Sequence, residues 1–210
     1  MSAALPVAIV DYGAGNLVSV EQALAQVGAR PWRATRPRDL DGAAAVVVPG
    51  VGAAAPAMAR LRKVGLIDPI LAWIAANRPF LGICLGLQLL FEASDEDGAT
   101  TLGVLPGRSR VLRDAPTLPH IGWNQVRRRR RHALFDGLAP DADLYFVHSF
   151  AGAPSPGAED AALADTEHGA SFVSAIARGS MLGVQFHPER SGRDGLRVLA
   201  NFIRLAGGAS

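Results

Sequence analysis

The sequence predicts an α/β fold: an open, mostly parallel sheet flanked by helices, with an antiparallel extension. Three features lead to it. Short apolar runs alternate with helix-period segments through the first half of the chain. Those runs lack polar alternation, as do strands covered on both faces. In the second half, closely spaced strand candidates separated by turn residues take over, a pattern of hairpins rather than crossovers.

Taken in order, residues 7–10, 44–48 and 80–83 are the apolar runs, each ending in turn residues. Residues 17–27, 53–61 and 67–76 carry helical spacing between them. This order argues for a sheet whose loops at the strand C-termini carry the site. Residues 103–111, 121–126, 144–150, 161–165, 172–178 and 181–186 are the later strand candidates, with Arg178-Gly179-Ser180 as a hairpin turn. They are expected to extend the same sheet. A helix over residues 192–205 follows, and residues 153–160, rich in Pro, Gly and Ala, read as a surface loop. One domain over residues 1–210 is expected, a length that supports a substantial core.

Composition narrows the function classes. A formal net charge of +2 is too small to make nucleic acid or an anionic membrane the main partner. The single cysteine forms no internal disulfide, which suits a reducing cytoplasm. Residues 1–10 lack a basic leader pattern and read as the approach to a first strand. The uncharged stretch 42–59 is broken by Pro49, Gly50, Gly52 and Pro56, so it reads as strand, turn and helix rather than a membrane span. The run Arg127 to Arg131 reads as a solvated loop, with phosphate or protein contact as the alternative; no aromatic residue interleaves it. His120, His132 and His168 have no ligand spacing, so no metal and no cofactor is expected.

The chemistry concentrates in two segments. Cys84 sits in Gly82-Ile83-Cys84-Leu85-Gly86, where an apolar run turns into a helical pattern. Glycines permit a cramped turn, and a helix N-terminus favours a thiolate there. Gln185-Phe186-His187-Pro188-Glu189 supplies a base, His187, and a carboxylate, Glu189, to orient it. Together they suit thiolate attack on a carboxamide, with the N–H of Leu85 donating to the oxyanion. A second donor is expected from the Pro49–Gly52 loop.

These segments, with Asp11-Tyr12-Gly13-Ala14-Gly15-Asn16, Pro49-Gly50-Val51-Gly52, Pro119-His120-Ile121-Gly122-Trp123-Asn124 and Tyr145-Phe146-Val147-His148-Ser149-Phe150, resemble class I, triad-type glutamine amidotransferases. More narrowly, they resemble the glutaminase subunit of imidazole glycerol phosphate synthase. Ala53-Ala54-Ala55, where an aromatic commonly stands, and Arg190, where lysine is usual, depart from the pattern without removing a catalytic group.

The resemblance implies a Cys84–His187–Glu189 triad and a glutamine site formed by Gly50, Gly52, Leu85, Gln88, Glu96, His148, Ser149 and Phe150. Read from sequence alone, Gln88, one turn beyond the cysteine, suits a site role better than that of an ordinary helix residue, while Glu96 could equally be a solvated carboxylate and His148 a core histidine. It further implies a heterodimer with a (β/α)8-barrel synthase subunit, which receives ammonia and makes imidazole glycerol phosphate and an aminoimidazole ribotide in histidine biosynthesis. Asn16, Trp123 and Arg190 are the docking candidates, against a helix cap, a core aromatic and a surface cation as their plain structural roles. The competing functions are a glutaminase subunit of anthranilate or pyridoxal phosphate synthesis, a non-enzymatic regulator, and a cysteine peptidase or γ-glutamyl hydrolase working without a partner.

Overall fold

The computed structural model describes residues 4–208; residues 1–3 of the segment leading into the first strand lie outside it. The first half alternates as β1 (Leu5–Val10), α1 (Leu17–Gln26), β2 (Ala29–Ala34), β3 (Ala45–Gly50), α2 (Ala54–Lys63), α3 (Ile67–Ala75), β4 (Phe80–Cys84) and a single-turn α4 (Leu85–Gln88). There follow β5 (Ala93–Ser94), β6 (Gly107–Val111), β7 (His120–Gln125), β8 (Arg127–Arg128), β9 (Asp143–His148) and β10 (Phe150–Pro154). The chain ends through β11 (Ala162–His168), β12 (Ala170–Arg178), β13 (Met181–Val184) and α5 (Gly192–Gly207).

Eight strands form the main sheet in the order β2-β1-β3-β4-β13-β12-β11-β8. The first five are parallel and the last three add antiparallel pairs. Alternate residues of its central strands feed two different cores. Val7, Ile9, Ala45, Val47, Leu81 and Ile83 pack with α1 and α5 on one face. Ala8, Val10, Val46, Val48 and Phe80 pack with α2, α3 and α4 on the other. That division is why these strands read as unbroken apolar runs: neither face meets water.

The expected extension is only partly correct. Residues 162–165, 172–178 and 181–184 join the main sheet, but β6 pairs with β10 and β5 in a separate three-stranded sheet, and β7 pairs with β9 alone. The run 144–150 is broken at Ser149, whose carbonyl accepts from the Leu112 N–H at 2.9 Å, so it forms two strands serving two sheets. Residues 103–106 are loop: the Val104 and Leu105 N–H groups both donate to the Leu90 carbonyl. The expected loop at 153–160 begins only after β10 ends at Pro154. β2 escapes the sequence pattern because it is an edge strand, where Pro31 and two arginines are tolerated.

The arginine run is also more ordered than a solvated loop. Arg127 and Arg128 form β8 at the opposite edge of the sheet. Arg127 pairs with Glu167, Arg129 forks onto Asp165 at 2.6 and 2.8 Å, and Arg128 donates to the Leu138 and Ala139 carbonyls. Charge on an edge strand discourages sheet-to-sheet aggregation, and these pairs hold the edge in register.

One glycine fixes how α4 meets the sheet. A Cβ on Gly86 would overlap the Val48 carbonyl oxygen, a backbone atom that cannot step aside. Gly86→Ala is therefore expected to destabilise the protein by about 3 kcal/mol or more, or to leave it insoluble. Denaturant titration checks this, and a wild-type midpoint would show that α4 can move.

Candidate active site

β4 delivers Cys84 to the C-terminal edge of the parallel sheet, and α4 starts at the next residue. Cys84 has φ 53° and ψ −110°, a conformation a side-chain-bearing residue adopts only under strain. The strain is held by glycine on both sides. A Cβ on Gly82 would approach the Gly86 carbonyl oxygen at 2.5 Å, and Gly86 itself lies against β3. The result is a strained elbow of the kind that can display a nucleophile: the side chain projects beyond the strand while the Leu85 N–H, first in the helix, has no intrahelical acceptor.

β13 lies beside β4 in parallel, Val184 opposite Ile83, so the segment after β13 arrives next to Cys84. Pro188–Arg190 forms one 3₁₀ turn after His187, which brings Glu189 back onto the imidazole. His187 Nδ1 lies 2.7 Å from Glu189 Oε1, with both side chains buried. An ionised carboxylate can only accept, so Nδ1 carries a proton and Nε2 is left free of that contact. His187 Nε2 and Glu189 Oε2 are buried with no hydrogen-bond partner among the described residues. Burial by itself would lower the His187 pKa; the Cys84 sulfur and the Glu189 carboxylate outweigh it and raise the pKa to about 10.

Beside the elbow is a cavity of about 250 Å³, smaller than a drug-sized site and suited to an amino acid. Gly52, Cys84, Leu85, Gln88, Glu96, His148, Ser149 and Phe150 all line it, so eight residues singled out in the sequence converge. Val51, Pro119 and Val147 complete the wall. Gly50 stands behind it: the residue ends β3 where a Cβ would collide with the Tyr12 hydroxyl and stand 2.9 Å from Leu85 Cβ. Tyr12 is a support residue to which the sequence pattern assigns no role. Its hydroxyl donates to the Pro49 carbonyl at 3.1 Å, and burial first, then the Cys84 charge, drives its pKa upward. Glu96 at the cavity wall is shifted upward by burial and then by Asp97.

A buried polar chain runs away from the cavity. His148 Nδ1 is 2.9 Å from the Phe150 carbonyl and Nε2 is 3.2 Å from His120 Nδ1, whose own Nε2 meets the Asn124 amide at 3.2 Å. A carbonyl only accepts, so the proton of His148 is on Nδ1 and its Nε2 accepts from His120. Burial holds the His148 pKa down to about 3 and that of His120 to about 4, which keeps both rings neutral. His168 stacks on His120 at 4.0 Å. No group of three or more His, Cys, Asp or Glu side chains among the described residues is arranged to hold a metal ion. Likewise, no helix among them is long and apolar enough to cross a membrane.

The docking candidates take distinct positions. Trp123 is 57% exposed on β7, beside Ile121 at 60%, so it is no core aromatic. Its ring meets Tyr145 edge-on at 6.0 Å, and the Arg190 guanidinium lies over that tyrosine at 4.4 Å. Asn16 caps α1 by accepting from the Ser19 N–H at 3.4 Å, and α1 packs against the turn that carries Arg190.

Comparison with known proteins agrees with this geometry. The family model for class-I glutamine amidotransferases matches residues 8–205. The chain is 47% identical to the imidazole glycerol phosphate synthase subunit HisH of Moorella thermoacetica over 208 residues, covering 97% of this chain and 98% of the relative. It is 45% identical to the HisH subunit of Xylella fastidiosa strain Temecula1 over 201 residues, covering 95% and 97%. Among solved structures, the Thermotoga maritima PurLQS structure has a chain superimposing with a TM-score of 0.76 at 16% identity, covering 96% of this chain and 99% of that one. The crystal structure of a glutamine amidotransferase from Thermotoga maritima gives 0.66 at 18% identity, covering 92% and 80%; at such identities the likeness is one of fold. With a cysteine elbow, a buried histidine–glutamate pair and a family match over nearly its whole length, this chain belongs to the class-I glutamine amidotransferases.

Proposed function

We propose that this chain is the glutaminase subunit of an imidazole glycerol phosphate synthase, hydrolysing glutamine through Cys84, His187 and Glu189 and passing ammonia to a synthase subunit. The observation that carries the chemistry is the elbow cysteine lining an amino-acid-sized cavity, with the buried His187–Glu189 pair behind it. The near-full-length identity to HisH subunits favours this synthase over anthranilate or pyridoxal phosphate synthesis.

The thiolate of Cys84 attacks the side-chain carboxamide carbon, forming a C–S bond and a tetrahedral oxyanion facing the Leu85 N–H and the Val51–Gly52 peptide. Imidazolium His187, favoured by its raised pKa, gives its proton to the departing nitrogen as the C–N bond breaks and ammonia leaves. His187 then takes a proton from water as its oxygen attacks the thioester, and glutamate departs with the thiolate restored. Glu189 holds the ring and stabilises its cation. Gln88, Glu96 and the His148–Phe150 segment bind the glutamine. The partner is a (β/α)8 barrel, docking on Asn16, Trp123, Arg190 and the apolar surface around Ile121. The test is glutamine-dependent synthesis by this chain mixed with a barrel synthase subunit. Failure to form a complex, or ammonia-only synthesis by that complex, would overturn the reading.

The free chain is expected to be slow. Gly52 has φ 82° with open space around its missing Cβ, so the Val51–Gly52 peptide can turn towards or away from the oxyanion. Losing one such donor slows turnover by about two to three orders of magnitude. Partner docking beside α1 and β7 is expected to shift that balance. Glutamate release should rise by about that factor from the free chain to the ligand-bound complex, and equal rates would eliminate the switch.

A further inference from the structure

Gln185 is fully buried immediately beyond β13, and the triad mechanism gives it no task. The direction of its amide can be deduced from a backbone carbonyl. The Phe150 carbonyl can only accept, so the Gln88 atom 2.7 Å from it is Nε2. The same Nε2 lies 3.1 Å from the Gln185 amide, which must therefore present Oε1 to it. That leaves Gln185 Nε2 pointing the other way, 3.5 Å from Cys84 Sγ. Phe150 O thus fixes Gln88, Gln88 fixes Gln185, and Gln185 aims an N–H at the nucleophile.

We infer that Gln185 is a permanent hydrogen-bond donor to the Cys84 sulfur, stabilising it as thiolate before attack and again as the leaving group when the thioester is hydrolysed. The inference rests on the glutaminase reading for its catalytic meaning only. His187 gives up its proton during the cycle; an amide at neutral pH does not. When glutamine's carbon bonds to sulfur, the C–N bond breaks and ammonia takes the His187 proton. When water attacks, the C–S bond breaks and its electron pair returns to sulfur. At that moment His187 has just acquired a proton from water, and the Gln185 N–H still faces the sulfur. Hydrogen bonds to a charged partner are stronger than neutral ones, so the donor favours thiolate over thioester or thiol.

Because Cys84 is the only cysteine, alkylation by iodoacetamide reports on it alone and does not require that glutamine be the substrate. Gln185→Met keeps the volume and removes the donor. Its alkylation rate at neutral pH is expected to fall about tenfold, with the rate-versus-pH profile moved about one unit to the alkaline side. The other titratable groups around the sulfur stay in place: His187 with Glu189 behind it, Tyr12 beyond β1, and Glu96 and His148 on the cavity wall. A folded Gln185→Met with the wild-type rate and profile overturns the inference. If that variant does not fold, Gln185→Leu removes the donor without adding charge, and the same two outcomes decide. The wild-type protein provides a test without mutation. The Gln185 side-chain amide signal in NMR should move with the ionisation midpoint seen in the thiolate's ultraviolet absorbance, and a signal fixed through that midpoint also overturns the inference. If alkylation shifts as expected while no glutamate is formed, the donor stands and the glutaminase reading falls.

Discussion

Cys84→Ser is expected to lower glutamine hydrolysis at least about a thousandfold while leaving the fold and partner binding intact. The loss follows from the nucleophile itself. A serine hydroxyl ionises far less readily than a thiol, so the imidazole beside it would have to remove a proton that a thiol gives up readily. Structure should survive because the substitution is nearly isosteric at a buried position, and serine's oxygen can accept the amide of Gln185 as sulfur does. Synthesis from added ammonia should also survive in the complex, since the proposed function assigns that reaction to the partner subunit. Measuring glutamate release and ammonia-dependent synthesis on one preparation separates the two activities. Substantial hydrolysis by the serine variant would eliminate the thioester mechanism, and loss of both activities would mean that the variant had lost its structure or its partner.

Much of this site was legible because its signals are local. Gly82, Cys84 and Gly86 sit within five residues, and only a turn with no room for a Cβ needs glycine at both flanks. His187 and Glu189 are two residues apart, close enough for one 3₁₀ turn to join them. The unbroken apolar runs of β1, β3 and β4 likewise announce strands with a core on either face. What the sequence concealed depends on distant partners. Nothing in residues 144–150 says that Ser149 divides them between two sheets, because the dividing contact comes from Leu112. Pro31 and the charged neighbours of β2 hide a strand that is permitted only by its place at the edge. Gln185 was visible within the Gln-Phe-His-Pro-Glu motif, but its amide acquires meaning only once β13 sets it against Cys84 and Gln88. The arginine run shows the same dependence: its counter-charges, Asp165 and Glu167, lie on β11.

His187→Asn is expected to be about as damaging as loss of the nucleophile, near four orders of magnitude, because in the proposed mechanism one ring performs both proton transfers. Asparagine is neutral and too short to reach sulfur from a residue anchored to Glu189. Departing ammonia would then lack its proton, and water would lack a base. Glu189→Gln should cost less, about a hundredfold, since a glutamine Oε1 can still accept from Nδ1 at the position 2.7 Å away while the charge support is lost. Single-turnover thioester formation followed by mass spectrometry separates the two, and an equal or greater loss for Glu189→Gln would reverse the assignment of roles. Stability supplies an independent check. The His187 pKa is raised from an ordinary value of about 6.5 to about 10, so the folded state holds the ring's proton more tightly than the unfolded chain. The stabilisation is complete below about pH 6.5 and is lost as pH rises through about 10. The melting temperature of wild type should therefore exceed that of His187→Asn most at mildly acidic pH, with the gap closing towards pH 10. A gap that stayed constant or widened over that range would mean that the ring is neutral at rest, and His187 would then begin the cycle as a base rather than an acid.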